Sequence, residues 1–82
     1  MMKLRLTPTA VKSYVAAPPS VQKAFDKQTR LLTDNLHHLS LRAKKYDETT
    51  GIWQARVNSD WRLYFTIDGD TYVVHKLIPH PK

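Results

Sequence analysis

The residues of this sequence best placed for chemistry are two arginines in its C-terminal third. Arg56 and Arg62 flank the turn signal at residues 58–60, and a three-residue loop would place them directly opposite each other on adjacent strands. Two like charges at opposite positions repel each other, at a cost of roughly a few tenths of a kcal/mol or more. An anion between them would neutralise this repulsion, and the planar guanidinium matches phosphate oxygens. We therefore expect either an anion-binding surface or a plain solvated strand face.

The strands that must position these arginines alternate between apolar and polar side chains. A three-residue loop keeps the apolar residues of both strands on one face, whereas a two-residue loop would mix the faces along the whole strand. If Asp68-Gly69 forms the next two-residue turn, Arg56, Arg62 and His75 form one row across three strands. The opposite, apolar face would then carry Trp53, Ala55, Val57, Trp61, Leu63, Phe65, Ile67, Tyr72 and Val74.

The N-terminal part of the chain predicts the elements that cover this apolar face. Residues 3–6 alternate and predict a short strand. Thr7 followed by Pro8 is typical of a helix N-cap and a first helical residue. That helix should end at residue 16 or 17, before Pro18-Pro19, because the residue before a proline avoids helical angles.

A second helix, from about Ser20 to residue 35 or 36, has a single apolar stripe. The stripe consists of residues at helical spacing: Val21, Ala24, Phe25, Gln28, Leu32 and Leu36. It should pack on the apolar face of the sheet. The predicted fold class is α+β: one small two-layer domain over residues 1–82, with an N-terminal strand, a two-helix hairpin and then a three-stranded antiparallel meander completing one sheet.

The segment from His37 to Thr50 shows no clean period and is predicted to connect the second helix to the sheet. Leu39 and Leu41 should reach into the core. Three basic residues should be exposed: Arg42, Lys44 and Lys45.

Composition limits the classes of protein to consider. The 82 residues carry a formal net charge of +6, which favours a polyanionic partner such as RNA, DNA or an acidic protein. The absence of cysteine excludes disulfides and thiolate zinc sites. No apolar run approaches membrane-spanning length and no signal peptide is visible, so a cytoplasmic location without membrane contact is expected.

Two segments of the sequence resemble the RelE/ParE superfamily of toxins from bacterial type II toxin–antitoxin systems. These are residues 35–45, NLHHLSLRAKK, and residues 53–65, WQARVNSDWRLYF. The resemblance covers nearly the whole chain and includes the order of elements. It implies a RelE-like endoribonuclease that cuts messenger RNA on the ribosome without a metal or other cofactor. It also implies contacts to 16S ribosomal RNA, a cognate antitoxin, and operator DNA contact only through the antitoxin complex.

The resemblance also implies roles for individual residues. Arg62 takes the position of an arginine that contacts the scissile phosphate, with Arg56 beside it. His80 matches a C-terminal histidine that transfers protons in some relatives, a role that suits imidazole near neutral pH; otherwise it is a tail residue. Asp60 lies where one branch has a functional aspartate, although Asp is common in hairpin turns. RNA or ribosome contacts are expected from Arg42, Lys44, Lys45, His75 and Lys82.

The sequence departs from the family near its C-terminal end. Many relatives have an Arg and a Tyr just past the last strand, where this sequence has Pro81 near the Arg position and no Tyr. Tyr64 or Tyr46 would replace that aromatic only if it reaches the site. Two alternatives therefore remain: a toxin that binds gyrase without catalysis, and a basic RNA-binding domain without chemistry. The histidines 37, 38 and 80 have no fixed spacing that indicates zinc.

Overall fold

The computed structural model describes residues 2–80, which form one five-stranded sheet and a layer of two helices. Strand β1 is Lys3–Leu6, helix α1 is Pro8–Ala16 and helix α2 is Pro19–Asp34. A short 3₁₀ helix at Leu39–Leu41 precedes the strands β2 (Lys44–Asp47), β3 (Ile52–Arg56), β4 (Trp61–Asp68) and β5 (Thr71–Pro79). The sheet order is β1-β5-β4-β3-β2. Since β1 pairs with β5 in parallel and the other pairs are antiparallel, the sheet is mixed.

Helix α1 begins and ends where the sequence predicts. The Thr7 hydroxyl accepts a hydrogen bond from the backbone N–H of Ala10 at 3.1 Å, and Pro8 occupies the first turn, where its missing N–H costs nothing. The helix ends at Ala16, and Pro19 then opens α2. The α+β architecture and the helix hairpin are therefore confirmed.

The core lies between the helices and one face of the sheet. Val21, Phe25 and Leu32 of α2 are buried against Leu63 and Phe65 of β4, as the apolar stripe predicts. Aromatic packing strengthens this layer, because Phe65 meets Trp53 at 6.2 Å and Tyr72 at 5.5 Å between ring centroids. The opposite face of the sheet, called here the outer face, is the one that can display functional side chains.

The hairpin that joins β3 to β4 has the predicted register. Arg56 pairs with Arg62, Ala55 with Leu63 and Trp53 with Phe65. The backbone N–H of Val57 donates to the carbonyl of Trp61 at 3.0 Å, so residues 58–60 form the loop. The two arginines therefore lie opposite each other on the outer face.

The predicted register of β4 with β5 is wrong. The two-residue loop is Gly69-Asp70, since Asp68 pairs with Thr71, and Arg62 pairs with Ile78 rather than with His75. A bulge causes part of the shift, because Phe65 pairs with Val74 and Tyr64 with Lys76, which leaves His75 as the extra residue.

Three further expectations need correction. The segment after α2 contains an unpredicted strand, β2, which pairs with β3 and makes the sheet five-stranded. Leu41 is fully buried as expected, but Leu39 is 90% exposed, because it lies on the solvent side of the 3₁₀ helix. Ile67 is 41% exposed although it has the parity of the apolar face, since it lies near the turn at the end of β4.

Candidate functional site

A cleft of about 210 Å³ opens on the outer face, at the end of the sheet where the β3–β4 hairpin turns. We call it the cationic cleft. The residues that line it are Arg42, Lys44, Gln54, Arg56, Arg62 and His80. Four of the six are arginine or lysine side chains, one is an imidazole, and no carboxylate lines the cleft within residues 2–80. Such a site suits an anion with several oxygens.

The hairpin turn fixes the guanidinium of Arg62. Its Nη1 donates to the carbonyl of Asn58 at 2.7 Å and to the carbonyl of Trp61 at 2.9 Å. These bonds use one nitrogen of a group that has five N–H donors, so the remaining donors of the fork can serve a ligand. The turn itself is held by Asn58, whose Oδ1 accepts from the backbone N–H groups of Asp60 and Trp61, both at 2.9 Å.

The same turn anchors His80. The backbone N–H of His80 donates to the carbonyl of Asp60 at 2.6 Å. Pro79 pairs with Trp61, so β5 delivers the histidine to the end of β4 next to Arg62. Because β5 is long enough to reach the hairpin turn, an imidazole from the end of the chain becomes part of a site on β3 and β4.

Arg56 and Arg42 are positioned by a buried glutamine of α2. Gln28 Nε2 donates to the carbonyl of Arg56 at 2.8 Å and to the carbonyl of Ser40 at 3.1 Å. These bonds tie β3 to the 3₁₀ helix. Arg42 follows that helix in a left-handed conformation, with φ of 46°, which is uncommon for a residue with a Cβ. Strained backbone of this kind occurs often at functional sites.

The structure brings together five of the residues that the sequence predicted for the site: Arg42, Lys44, Arg56, Arg62 and His80. Lys45 is not among them. It pairs with Trp53 on the core side of the sheet, and its Nζ lies 5.9 Å from the centroid of the Trp53 ring. Asp60 belongs to the hairpin turn and contributes a backbone carbonyl to the anchor of His80.

His75 is not among the residues that line the cleft. His75 occupies the bulge, and its Nε2 lies 2.8 Å from Thr66 Oγ1, four positions along β4 from Arg62. Lys82 lies outside the described residues, as does Pro81.

Sequence reasoning missed Gln54 as a cleft residue and identified Asn58 only as part of the turn. Gln54 shares the parity of Arg56 and pairs with Tyr64, so the alternation already placed it on the outer face. Its Nε2 donates to the Tyr64 hydroxyl at 2.9 Å. For Asn58, the signal was the preference of asparagine for turns in which its side chain bonds the backbone two residues on.

Comparison with known proteins gives a clear result for structure only. By sequence, the chain matches neither a protein-family model nor a curated protein. It is similar in structure to a YoeB/ParE toxin from Agrobacterium tumefaciens, with a TM-score of 0.79 and 15% identity over 98% of this chain and 100% of that one.

Two complexes give similar values. A chain of the RelBE2 toxin–antitoxin complex from Mycobacterium tuberculosis has a TM-score of 0.78 and 24% identity, over 96% of this chain and 98% of that one. A chain of the archaeal RelE-RelB complex from Pyrococcus horikoshii has a TM-score of 0.78 and 17% identity, over 95% and 93%. At these identities the likeness shows the fold, which is that of the YoeB, ParE and RelE toxins.

Proposed function

We propose that this chain, which has the fold of the RelE, YoeB and ParE toxins, is the toxin of a type II toxin–antitoxin system and cleaves messenger RNA on the ribosome. The observation that carries the proposal is the convergence of Arg56, Arg62 and His80 in one cleft lined by two further cations. We further propose that residues 1–82 form one toxin domain, which acts in the cytoplasm and needs no metal or other cofactor.

The proposed reaction is an internal transesterification. The ribose 2′-oxygen attacks the neighbouring phosphorus and the bond from phosphorus to the 5′-oxygen breaks. The 2′-OH gives its proton to solvent water, the leaving 5′-oxygen gains one from an acid in the cleft, and the products end in a 2′,3′-cyclic phosphate and a 5′-hydroxyl. Charge grows on the phosphoryl oxygens in the transition state, so fixed cations stabilise it more than the ground state.

The cleft residues divide these tasks. Arg62, held by two carbonyls, directs its other donors to the scissile phosphate, and Arg56 opposite it binds a second oxygen. His80 transfers the proton to the leaving oxygen, because it is the cleft residue whose side chain readily gives and takes a proton. Arg42 and Lys44 hold the flanking backbone of the RNA.

The proposed partner is an acidic antitoxin that folds on binding. Several solved structures of this fold are toxin–antitoxin complexes. This chain has a short strand at each edge of its sheet and exposes the apolar side chains of Val15 and Leu39. A disordered segment can add to an edge strand and cover such side chains.

Saturating antitoxin should raise the melting temperature of this chain, by mass action, and should weaken its binding to RNA. If the antitoxin changes neither quantity, the proposed partner is wrong.

Primer extension on purified ribosomes with a defined message tests the nuclease directly. We expect new 5′ ends inside the codon of the ribosomal A site, and none when ribosomes are omitted. Intact message together with arrested DNA replication would instead support gyrase binding. Intact message with RNA binding alone would support a basic domain without chemistry.

A further inference from the structure

An exposed aromatic ring lies on the outer face beside the cationic cleft. The side chain of Tyr46 on β2 is 61% exposed. It nevertheless has a defined position, because its ring meets the ring of Tyr64 edge-on, at 5.0 Å between centroids and 77° between planes. One face of an ordered aromatic ring is therefore available to a ligand.

The residues behind Tyr46 hold it in place and connect it to the cleft. Tyr64 is buried, and its hydroxyl accepts a hydrogen bond from Gln54 Nε2 at 2.9 Å. Gln54 lines the cleft. On its other side Tyr64 has the ammonium of Lys76, 5.0 Å from its ring centroid. A ring supported in this way loses little freedom when a ligand stacks on it.

The spacing along β2 places the Tyr46 ring near the cationic cleft. Lys44 lines the cleft, and Tyr46 follows it by two positions, which corresponds to about 7 Å along a strand. The pairing of β2 with β3 is irregular between Lys45 and Asp47, so Tyr46 is the unpaired residue of a bulge. Tyr46 has the same parity as Lys44, which pairs with Gln54 of the outer face, so both side chains lie on that face.

We infer that Tyr46 is a stacking platform for an unpaired base of the RNA strand whose phosphate occupies the cationic cleft. This inference rests on the proposed function for the nature of the ligand. A single-stranded nucleic acid is recognised by a cationic groove that follows the backbone together with aromatic rings that stack on the bases. The cations of the cleft supply the first feature and Tyr46 supplies the second.

The stack should tolerate any base, since every base has a π-face. The residue would therefore set affinity and position the strand without selecting a codon. It acts on binding and takes no part in proton transfer.

An NMR titration of the whole chain with an RNA trinucleotide carrying 2′-O-methyl sugars tests this inference, because such an RNA binds but cannot be cleaved. The signals of the Tyr46 ring should shift on saturation. Tyr46→Ala should weaken binding by about 5- to 150-fold, which is the range for the loss of one base–aromatic stack. Tyr46→Trp and Tyr46→Phe should bind like the wild type, because both keep an aromatic face.

Two controls isolate the stack from other effects. Val11→Ala removes an exposed apolar side chain on α1, on the opposite side of the sheet, and should leave the dissociation constant unchanged. A trinucleotide with an abasic middle position should bind the wild type as weakly as the intact trinucleotide binds Tyr46→Ala. The abasic trinucleotide should bind Tyr46→Ala as tightly as it binds the wild type.

The outcomes separate this inference from the proposed catalysis. If the wild type binds the trinucleotide but Tyr46→Ala binds equally well, the stacking platform is wrong and the nuclease proposal stands. If Tyr46→Ala binds weakly while the wild type fails to cleave message on ribosomes, the platform holds and the catalytic proposal is wrong. If the wild type does not bind the trinucleotide, the platform is overturned.

Discussion

Asn58 helps to position two residues of the cationic cleft, Arg62 and His80, without lining the cleft itself. Its side chain closes the hairpin turn with two backbone hydrogen bonds, and its carbonyl accepts from Arg62 Nη1. The turn also supplies the carbonyl that binds the His80 backbone. One asparagine therefore sets the position of a cation and, through the turn, of an imidazole.

We predict that Asn58→Ala lowers the free energy of unfolding by about 1–3 kcal/mol, because two backbone N–H groups lose their partner at a cost of roughly 0.5–1.5 kcal/mol each. Asn58→Asp should recover most of that loss, since a carboxylate oxygen can accept the same two bonds. Urea denaturation of the three proteins measures the difference. Equal stability of the Ala variant and the wild type would show that the side chain does not hold the turn.

The side chain of His80 should affect the rate of cleavage. We predict that His80→Ala slows single-turnover cleavage by about 100-fold or more, as for loss of a positioned acid or base. Added imidazole should restore part of the rate, because it can occupy the vacated space and transfer the proton. His37→Ala is the matched control, since His37 is exposed and does not line the cationic cleft. A rate that is unchanged in His80→Ala would remove the histidine from the mechanism.

At the scale of elements, the sequence determined the β3–β4 hairpin but not its neighbour. The three-residue loop was the one that kept both strands amphipathic, so Arg56 and Arg62 could be paired from parity alone. The same reasoning failed for β5 because the turn is Gly69-Asp70 rather than Asp68-Gly69, and the bulge at His75 then adds one more residue to the shift. Gly69, with φ of 59°, occupies the first loop position, where type II′ hairpins have glycine, which was the available clue to the turn.

Strand β2 could not be predicted because apolar and polar residues do not alternate in its sequence. Its residues are Lys44, Lys45, Tyr46 and Asp47, three of them exposed, and the strand exists through pairing with β3 at the edge of the sheet. Charged, short and bulged edge strands of this type resist further pairing. The sequence thus predicted which types of residue line the cationic cleft. That Lys44 lines the cleft and Lys45 does not depends on the pairing of β2 with β3.

The packing of β5 predicts a loss of stability in alkali. Burial raises the pKa of Tyr72 above its ordinary value of 10.0. The folded state therefore holds the phenol proton more tightly than the unfolded state, so this contribution is complete below pH 10 and is lost as the pH rises through the raised pKa. Tyr72→Phe should show a smaller decline in unfolding free energy above pH 10 than the wild type, measured by denaturant titration at several pH values. Parallel declines in the two proteins would contradict the assignment.

At the scale of the whole molecule, the net charge of +6 attracts any polyanion, and this attraction alone predicts RNA binding without chemistry. The central claim is more specific, because it assigns the transition state to one cleft. Arg62 and Arg30 allow the two effects to be separated. Both are arginines and each removal lowers the net charge by one, but Arg30 is exposed on α2 and does not line the cationic cleft.

Single-turnover cleavage of a defined message on saturating ribosomes, measured for Arg62→Ala beside Arg30→Ala, is the most direct test of this claim. Arg62→Ala should cleave about 10²–10³-fold more slowly than the wild type, because a fixed donor to the developing charge is lost. Arg30→Ala should cleave at the wild-type rate. Two equally reduced rates would show that only overall charge matters, and two unchanged rates would show that Arg62 does not act on the transition state; either result would contradict the assignment of the cationic cleft as the catalytic site.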